Sequence, residues 1–129
     1  MPGPEPQETD LALLLRAAKA AGEVALSFSG PTARAWDKPG LGPVTEADYA
    51  VNDKLEEMLR GARPDYGWLS EETPDDKSRL DKSHVFIIDP IDGTRSFIEG
   101  SGTWAHSIAI ARHGSVTAAV IYQIGRAHV

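Results

Sequence analysis

The chain has no cysteine, which excludes disulfides and thiolate metal sites and gives no sign of a secreted, cross-linked scaffold. No apolar run approaches the roughly 20 residues needed to span a bilayer. Basic residues are in the minority. Thirteen Lys and Arg against 19 Asp and Glu leave a net charge of −6. A whole-chain electrostatic grip on a nucleic acid polymer is therefore not expected. Internal repeats are absent, and low complexity is confined to the first few residues. Met1-Pro2-Gly3-Pro4-Glu5-Pro6 lacks the basic and apolar regions of a signal peptide, so a soluble, cytoplasmic protein is expected. Carboxylates are also missing from one region: no Asp or Glu follows Glu99. Any carboxylate chemistry must come from earlier residues.

What is present is globular in composition, with 41% hydrophobic and 25% charged residues in 129 positions. That suits one domain, or part of a larger one. Residues 1–8 read as a disordered tail and 9–123 as the folded domain. Thr9 or Asp10 can cap a helix running towards Ser29, ended by Gly30-Pro31. Its apolar stripe is Leu11, Leu14, Leu15, Ala18, Ala21 and Ala25. Residues 31–44, rich in Pro and Gly, read as a loop. A second helix is expected from Thr45 to Arg60, with Ala47, Val51, Leu55 and Met58 inward and Gly61 closing it. Residues 66–70 form a short strand, and 73–83 a surface loop. Val85-Phe86-Ile87-Ile88 reads as a strand covered on both faces. Trp104–Ala111 and Val116–Tyr122 form a hairpin joined by His113-Gly114-Ser115. Helix, helix, then strands suggests an α+β layered domain.

The chemically informative segment is Ile88-Asp89-Pro90-Ile91-Asp92-Gly93-Thr94. Two carboxylates sit at the end of a buried strand, with Pro90 fixing the turn. Asp89, Asp92 and the Ile91 carbonyl can aim at one point. Hard oxygen ligands of this kind suit Mg²⁺ with a substrate phosphate and water. The Gly93 and Thr94 backbone N–H groups offer an adjacent anion site. The plainer reading is a strand-end turn, since Asp-Pro and Asp-Gly are turn dipeptides.

Other residues carry two readings each. Glu71-Glu72 is a solvated strand edge, or a second pair of acids that converges on the first if the two strands are neighbours. Clustered carboxylates repel unless a cation lies among them. Asp48 completes a capping box with Thr45, or reaches from a helix start towards a water or metal-bound group; the roles are compatible. Lys38 is a solvated loop lysine, or swings over a phosphate. Arg95 steadies a phosphate or covers apolar surface. His84, His106, His113 and His128 have no metal spacing and read as non-ligands. Trp68 and Trp104 read as core or rim.

Three segments together resemble the inositol monophosphatase-like family of Mg²⁺-dependent phosphatases. They are Val44-Thr45-Glu46-Ala47-Asp48, Leu69-Ser70-Glu71-Glu72-Thr73, and Phe86 through Phe97 around the acidic turn. The resemblance covers residues 10–123. Residues Thr103–Ala109 and Pro64–Glu72 are most similar to the bacterial 3′(2′),5′-bisphosphate nucleotidase (CysQ-type) branch of sulfur metabolism. Inositol monophosphatase and histidinol-phosphate phosphatase are the near alternatives. The resemblance implies an N-terminal half of a layered αβαβα sandwich, with two helices on a largely antiparallel sheet. It implies two or three Mg²⁺ ions held by Glu71, Asp89, the Ile91 carbonyl and Asp92. Glu71 and Thr94 would orient the attacking water, with Asp48 polarising it. Glu71, Ile91, Asp92, Gly93 and Thr94 would meet the substrate. Lys38 matches the lysine of the family's mobile loop. The partner expected is a small phosphorylated metabolite, with no membrane segment, peripheral membrane association left open, and a homodimer at full length.

One departure matters. Family members carry a second half whose Trp-Asp motif ligates the second metal, and no acid follows Glu99 here. The expectation is that this chain alone is inactive. A non-catalytic metal- or phosphate-binding module is the alternative from another class. Ile124-Gly125-Arg126-Ala127-His128-Val129 resembles a translated sequencing adapter, so 124–129 is expected to be a non-native tail.

Overall fold

The computed structural model describes residues 8–28, 31–123 and 126–128, the last three by backbone alone. The expected tail, apart from Glu8, and the Gly30 helix end lie outside the described residues, as do 124, 125 and 129.

Helix α1 (Asp10–Leu26) begins where Thr9 Oγ1 accepts the Ala12 N–H at 3.1 Å. Its buried face is Leu13, Leu14, Ala17, Ala18, Ala21, Gly22 and Ala25. The expected stripe is thus rotated: Leu11 and Leu15 are only half-buried, and Leu13 and Ala17 replace them. The small residues of this face allow close approach to the second helix, so packing rather than side-chain size sets the orientation.

The segment read as a loop is a β-hairpin, β1 (Ala35–Lys38) and β2 (Gly42–Thr45). Its prolines and glycines suggested a break in structure. In a two-stranded ribbon both strands are edges, where Pro43 is tolerated, while Gly40 and Gly42 take positive φ at the turn. Helix α2 (Glu46–Ala62) follows at once. Thr45 and Asp48 form the capping box, and Arg63 rather than Gly61 ends the helix. Leu59 takes the buried place expected of Met58, and Asp48 and Asn52 are buried beside Val51.

Five strands form the main sheet: β3 (Gly67–Ser70), β4 (His84–Asp92), β5 (Ala105–Arg112), β6 (Ser115–Gln123) and β7 (Arg126–His128). They lie in chain order. β3 pairs parallel with β4 and all other pairs are antiparallel. The parallel step crosses over through 71–83, which contains a 3₁₀ turn at Ser78–Asp81. A one-turn helix, α3 (Thr94–Ile98), links β4 to β5. The β5–β6 hairpin turns on His113 and Gly114, both at positive φ, so Ser115 belongs to β6 rather than to the turn.

Both long helices cover one face of this sheet, where Phe86, Ile88, Ile108 and Ile110 are buried. Each such side chain contributes about 1.5–3 kcal/mol. Among the described residues the other face is left open: Ile87 is 40% exposed and Ile121 51%. The expectation that 85–88 is covered on both faces is therefore corrected. A run of four apolar residues carries no periodicity to show which face meets the helices. The architecture is α+β, two helices on a largely antiparallel sheet.

Candidate active site

Parallel pairing in the register Ser70↔Ile88 ends β3 beside the point where β4 enters its acidic segment. The Glu71 N–H donates to the Ile88 carbonyl at 3.3 Å across that junction. The acids following β3 thus meet those ending β4, as the sequence required only if the strands were neighbours. They line an open cleft of about 420 Å³ with Lys38, Glu71, Glu72, Asp89, Ile91, Asp92, Gly93, Thr94 and Arg95 on its walls. Every residue singled out for metal or substrate contact in the sequence reaches this cleft. Asp48 lies one hydrogen bond behind it.

β4 carries an irregularity there. Asp89 pairs with Ser107 and Asp92 with Ala105, so three steps along β4 match two along β5. This extra residue is a β-bulge. Beyond it Gly93 adopts φ +93°, and a Cβ there would lie 2.8 Å from the Thr103 carbonyl oxygen. Only glycine fits the step into α3 without displacement.

The charge balance of the cleft is negative. Burial pushes the Asp89 carboxyl up to about 7, and the neighbouring charges of Glu71, Asp92, Asp48 and Glu72 add to it. Among the described residues, no three His, Asp or Glu side chains already gather closely enough to hold an ion. The carboxylates stand on the walls and leave room for water or phosphate oxygens, the companions Mg²⁺ retains. The donor set, all hard oxygen and short of cations, fits a divalent metal of that class.

Asp48 completes the expected cap, and its second oxygen reaches towards the cleft through Thr94. Its Oδ2 accepts from the Thr45 backbone N–H at 3.0 Å and the Thr45 hydroxyl at 2.6 Å, completing the cap. Its Oδ1 accepts from the Thr94 hydroxyl at 2.9 Å. Thr94 Oγ1 also lies 3.0 Å from the Ile91 carbonyl, so one proton serves two acceptors. Asp48 is only 2% exposed, and these donors satisfy its buried charge.

Lys38 ends strand β1 and points into the cleft. Its Nζ donates to the Glu71 carbonyl at 3.0 Å and forms an ion pair with Glu72 Oε2 at 2.9 Å. Burial alone would depress its pKa, but Glu72, with Tyr49 and Glu71, holds it above the ordinary lysine value. The lysine is thus fastened to the β3 turn instead of lying free in a loop.

Sequence reasoning missed what holds that turn. Asn52 Nδ2 donates to Thr73 Oγ1 at 2.9 Å, and Ser70 donates to Asn52 Oδ1 at 2.5 Å. Trp68 Nε1 donates to the same Thr73 oxygen at 3.1 Å. Asn52 lies four residues after Asp48, on the same helix face, and that spacing was the available signal. His106 was also passed over beyond its exclusion as a ligand. It is fully buried, and its Nδ1 lies 2.5 Å from the Pro90 carbonyl oxygen. Burial depresses its pKa, partly offset by that hydrogen bond.

With this geometry established, comparison with known proteins is specific. Residues 7–127 match the inositol monophosphatase family. The histidinol-phosphatase of Mycobacterium tuberculosis is 37% identical over 113 residues, covering 87% of this chain and 43% of the relative. The 3′-phosphoadenosine 5′-phosphate phosphatase of Mycobacterium leprae is 42% identical over 104 residues, covering 79% and 37%. The inositol-1-monophosphatase of Caulobacter vibrioides is 39% identical over 108 residues, covering 82% and 42%. Among solved structures, the extragenic suppressor protein suhB of Bartonella henselae aligns with a TM-score of 0.76 at 31% identity, over 86% of this chain and 43% of that one. CysQ of Bacteroides thetaiotaomicron aligns with a TM-score of 0.71 at 28% identity, over 88% and 42%. The chain spans less than half the length of these relatives. The match over nearly its whole length, on the fold and turns just described, makes this chain a member of the inositol monophosphatase family.

Proposed function

We propose that this chain carries the metal- and phosphate-binding part of a Mg²⁺-dependent phosphomonoesterase, with the 3′-phosphate of adenosine 3′,5′-bisphosphate as its target. The supporting observation is the parallel β3–β4 junction, which brings Glu71, Asp89, Asp92 and the Ile91 carbonyl to one cleft beside the Asp48–Thr94 pair. These four residues would hold the metal, as two or three ions. Mg²⁺, when bound, supplies positive charge for the phosphoryl oxygens and lowers the pKa of water. The remaining work falls to the chain. Asp48 draws the Thr94 hydroxyl proton, so the Thr94 oxygen presents lone pairs to a water between it and Glu71. That water is thereby oriented, and the proton it gives up would pass to the Thr94 oxygen as the Thr94 proton moves to Asp48. The Gly93 and Thr94 N–H groups would meet phosphate oxygens. Glu72 holds the Lys38 ammonium in place at the rim.

Relatives named for three substrates are similarly close, so inositol 1-phosphate and histidinol phosphate are the alternatives. The test is phosphate release from all three esters, with and without Mg²⁺. It is run on this chain and on the longest reading frame encoding residues 1–123. Mg²⁺-dependent release favouring the bisphosphate supports the proposal. Release in EDTA removes the metal from it, and equal rates on all three esters remove the substrate choice.

A further inference from the structure

Regular strand alternation would put Asp89 and Asp92 on opposite faces of the sheet, because they are an odd number of residues apart. The burial pattern of β4 shows how this is avoided. Phe86, Ile88 and Pro90 face the helices, and then Ile91 is buried directly after Pro90. From there the alternation is inverted, and Asp92 returns to the side of Asp89. The bulge is therefore what makes one cleft out of two carboxylates. Pro90 and Ile91 together oppose a single β5 residue, His106.

His106 occupies a core position where packing alone would favour an aliphatic side chain. It is fully buried, and its Nε2 has no hydrogen-bond partner among the described residues. A carbonyl can only accept, so Nδ1 carries the proton that bonds Pro90 O at 2.5 Å. Leaving one ring nitrogen unpaired in the core is costly, and the hydrogen bond from the other is what offsets it. The ring cannot easily turn away. It stacks on Tyr122 at 6.2 Å and 9°, and meets Trp104 edge-on at 5.6 Å. Trp104 in turn packs edge-on against Phe97 of α3, at 5.1 Å. One contact chain thus runs from His106 to both sides of the acidic turn, the bulge at Pro90 and the helix that follows Thr94.

We propose that His106 is a positioning residue for the cleft: by donating from Nδ1 to the Pro90 carbonyl, it locks the β4 bulge that turns Asp89 and Asp92 to the same side. It touches neither substrate nor metal. The inference deepens the metal-site reading and rests on it. Its distinguishing feature is which nitrogen does the work. Asparagine can place an N–H near the position of Nδ1. Glutamine places one near Nε2, and leucine places none.

The experiment measures Mg²⁺ binding by calorimetry to the chain and to His106→Asn, His106→Gln, His106→Leu and Asp89→Asn. His106→Asn should bind within a few-fold of the parent. His106→Gln and His106→Leu should bind at least about tenfold more weakly, the usual range for residues that orient metal ligands. Equal binding by all three His106 variants, or an Asn variant as weak as the Gln variant, overturns the proposal. Two NMR readouts stand apart from metal affinity. The ¹⁵N shifts of His106 should report the Nδ1–H tautomer, and an Nε2–H tautomer refutes the assignment. Amide shift changes in His106→Gln, relative to His106→Asn, should concentrate at residues 89–94; changes spread evenly through the core refute it. Failure of the parent to bind Mg²⁺, or unchanged binding by Asp89→Asn, would remove the metal reading, while the NMR readouts would still decide the bulge.

Discussion

Replacing Asp89 with asparagine should stabilise the metal-free protein and abolish its response to Mg²⁺. Asparagine keeps the size of the side chain and removes its charge. The folded state holds the Asp89 proton up to about 7, against an ordinary 3.8, because of burial and then the charges of Glu71, Asp92, Asp48 and Glu72. Below the ordinary value both folded and unfolded chains are protonated, and the site has no effect on stability. Between the two values only the folded chain keeps the proton. Stability from this group is therefore lost as pH rises through that window, and the full penalty remains above it. The window spans roughly three pH units, an upper limit of about 4 kcal/mol. Asp89 is only part-buried, and solvent screening reduces this to about 1–2 kcal/mol. Urea unfolding in EDTA should thus find Asp89→Asn about 1–2 kcal/mol more stable than the parent at pH 8, with the gap closing towards pH 4. Adding Mg²⁺ at pH 8 should reverse the order. A ligand at a hundred times its dissociation constant stabilises by about 2.7 kcal/mol, and only the parent should receive it. If Asp89→Asn is the less stable protein in EDTA at pH 8, or if Mg²⁺ stabilises both equally, the account of carboxylate crowding is wrong.

Two further predictions concern the turn and the open face. Gly93→Ala should cost about 1–3 kcal/mol in thermal or urea unfolding, since φ is +93° and the new methyl would lie 2.8 Å from the Thr103 carbonyl oxygen; a change below a few tenths of a kcal/mol would show the turn can relax. The double change Ile87→Lys and Ile121→Lys should shift stability by less than about 1 kcal/mol, while lowering binding of a hydrophobic dye and raising solubility. Loss of folding in that variant would mean the face is covered in the isolated chain.

The long helices and the acidic turn were legible in the sequence because their signals are local. Thr9 and Thr45 cap their helices by bonds within three residues, and Asp-Pro-Ile-Asp-Gly-Thr states its own donors and turn chemistry. The hairpin at 35–45 was not legible. Pro and Gly mark breaks in helices and central strands alike, and only partner pairing distinguishes a two-stranded ribbon from a loop. The helix stripe was rotated for a related reason. Leu11, Leu15 and Leu13 are equally apolar, and the position of α2 chooses among them.

By itself the sequence determined the residue types available for chemistry, their order, and the helix starts. It also determined that all carboxylates precede residue 100. The tertiary structure decided where those carboxylates meet. Parallel pairing of β3 with β4 brought together acids some twenty positions apart, and the bulge opposite His106 put Asp89 and Asp92 on one side. Strand neighbours and bulges depend on contacts between distant segments, which no local spacing encodes. The same contacts bind Lys38 to Glu72 and Asp48 to Thr94 across 34 and 46 positions, so a cleft exists only once the sheet has formed.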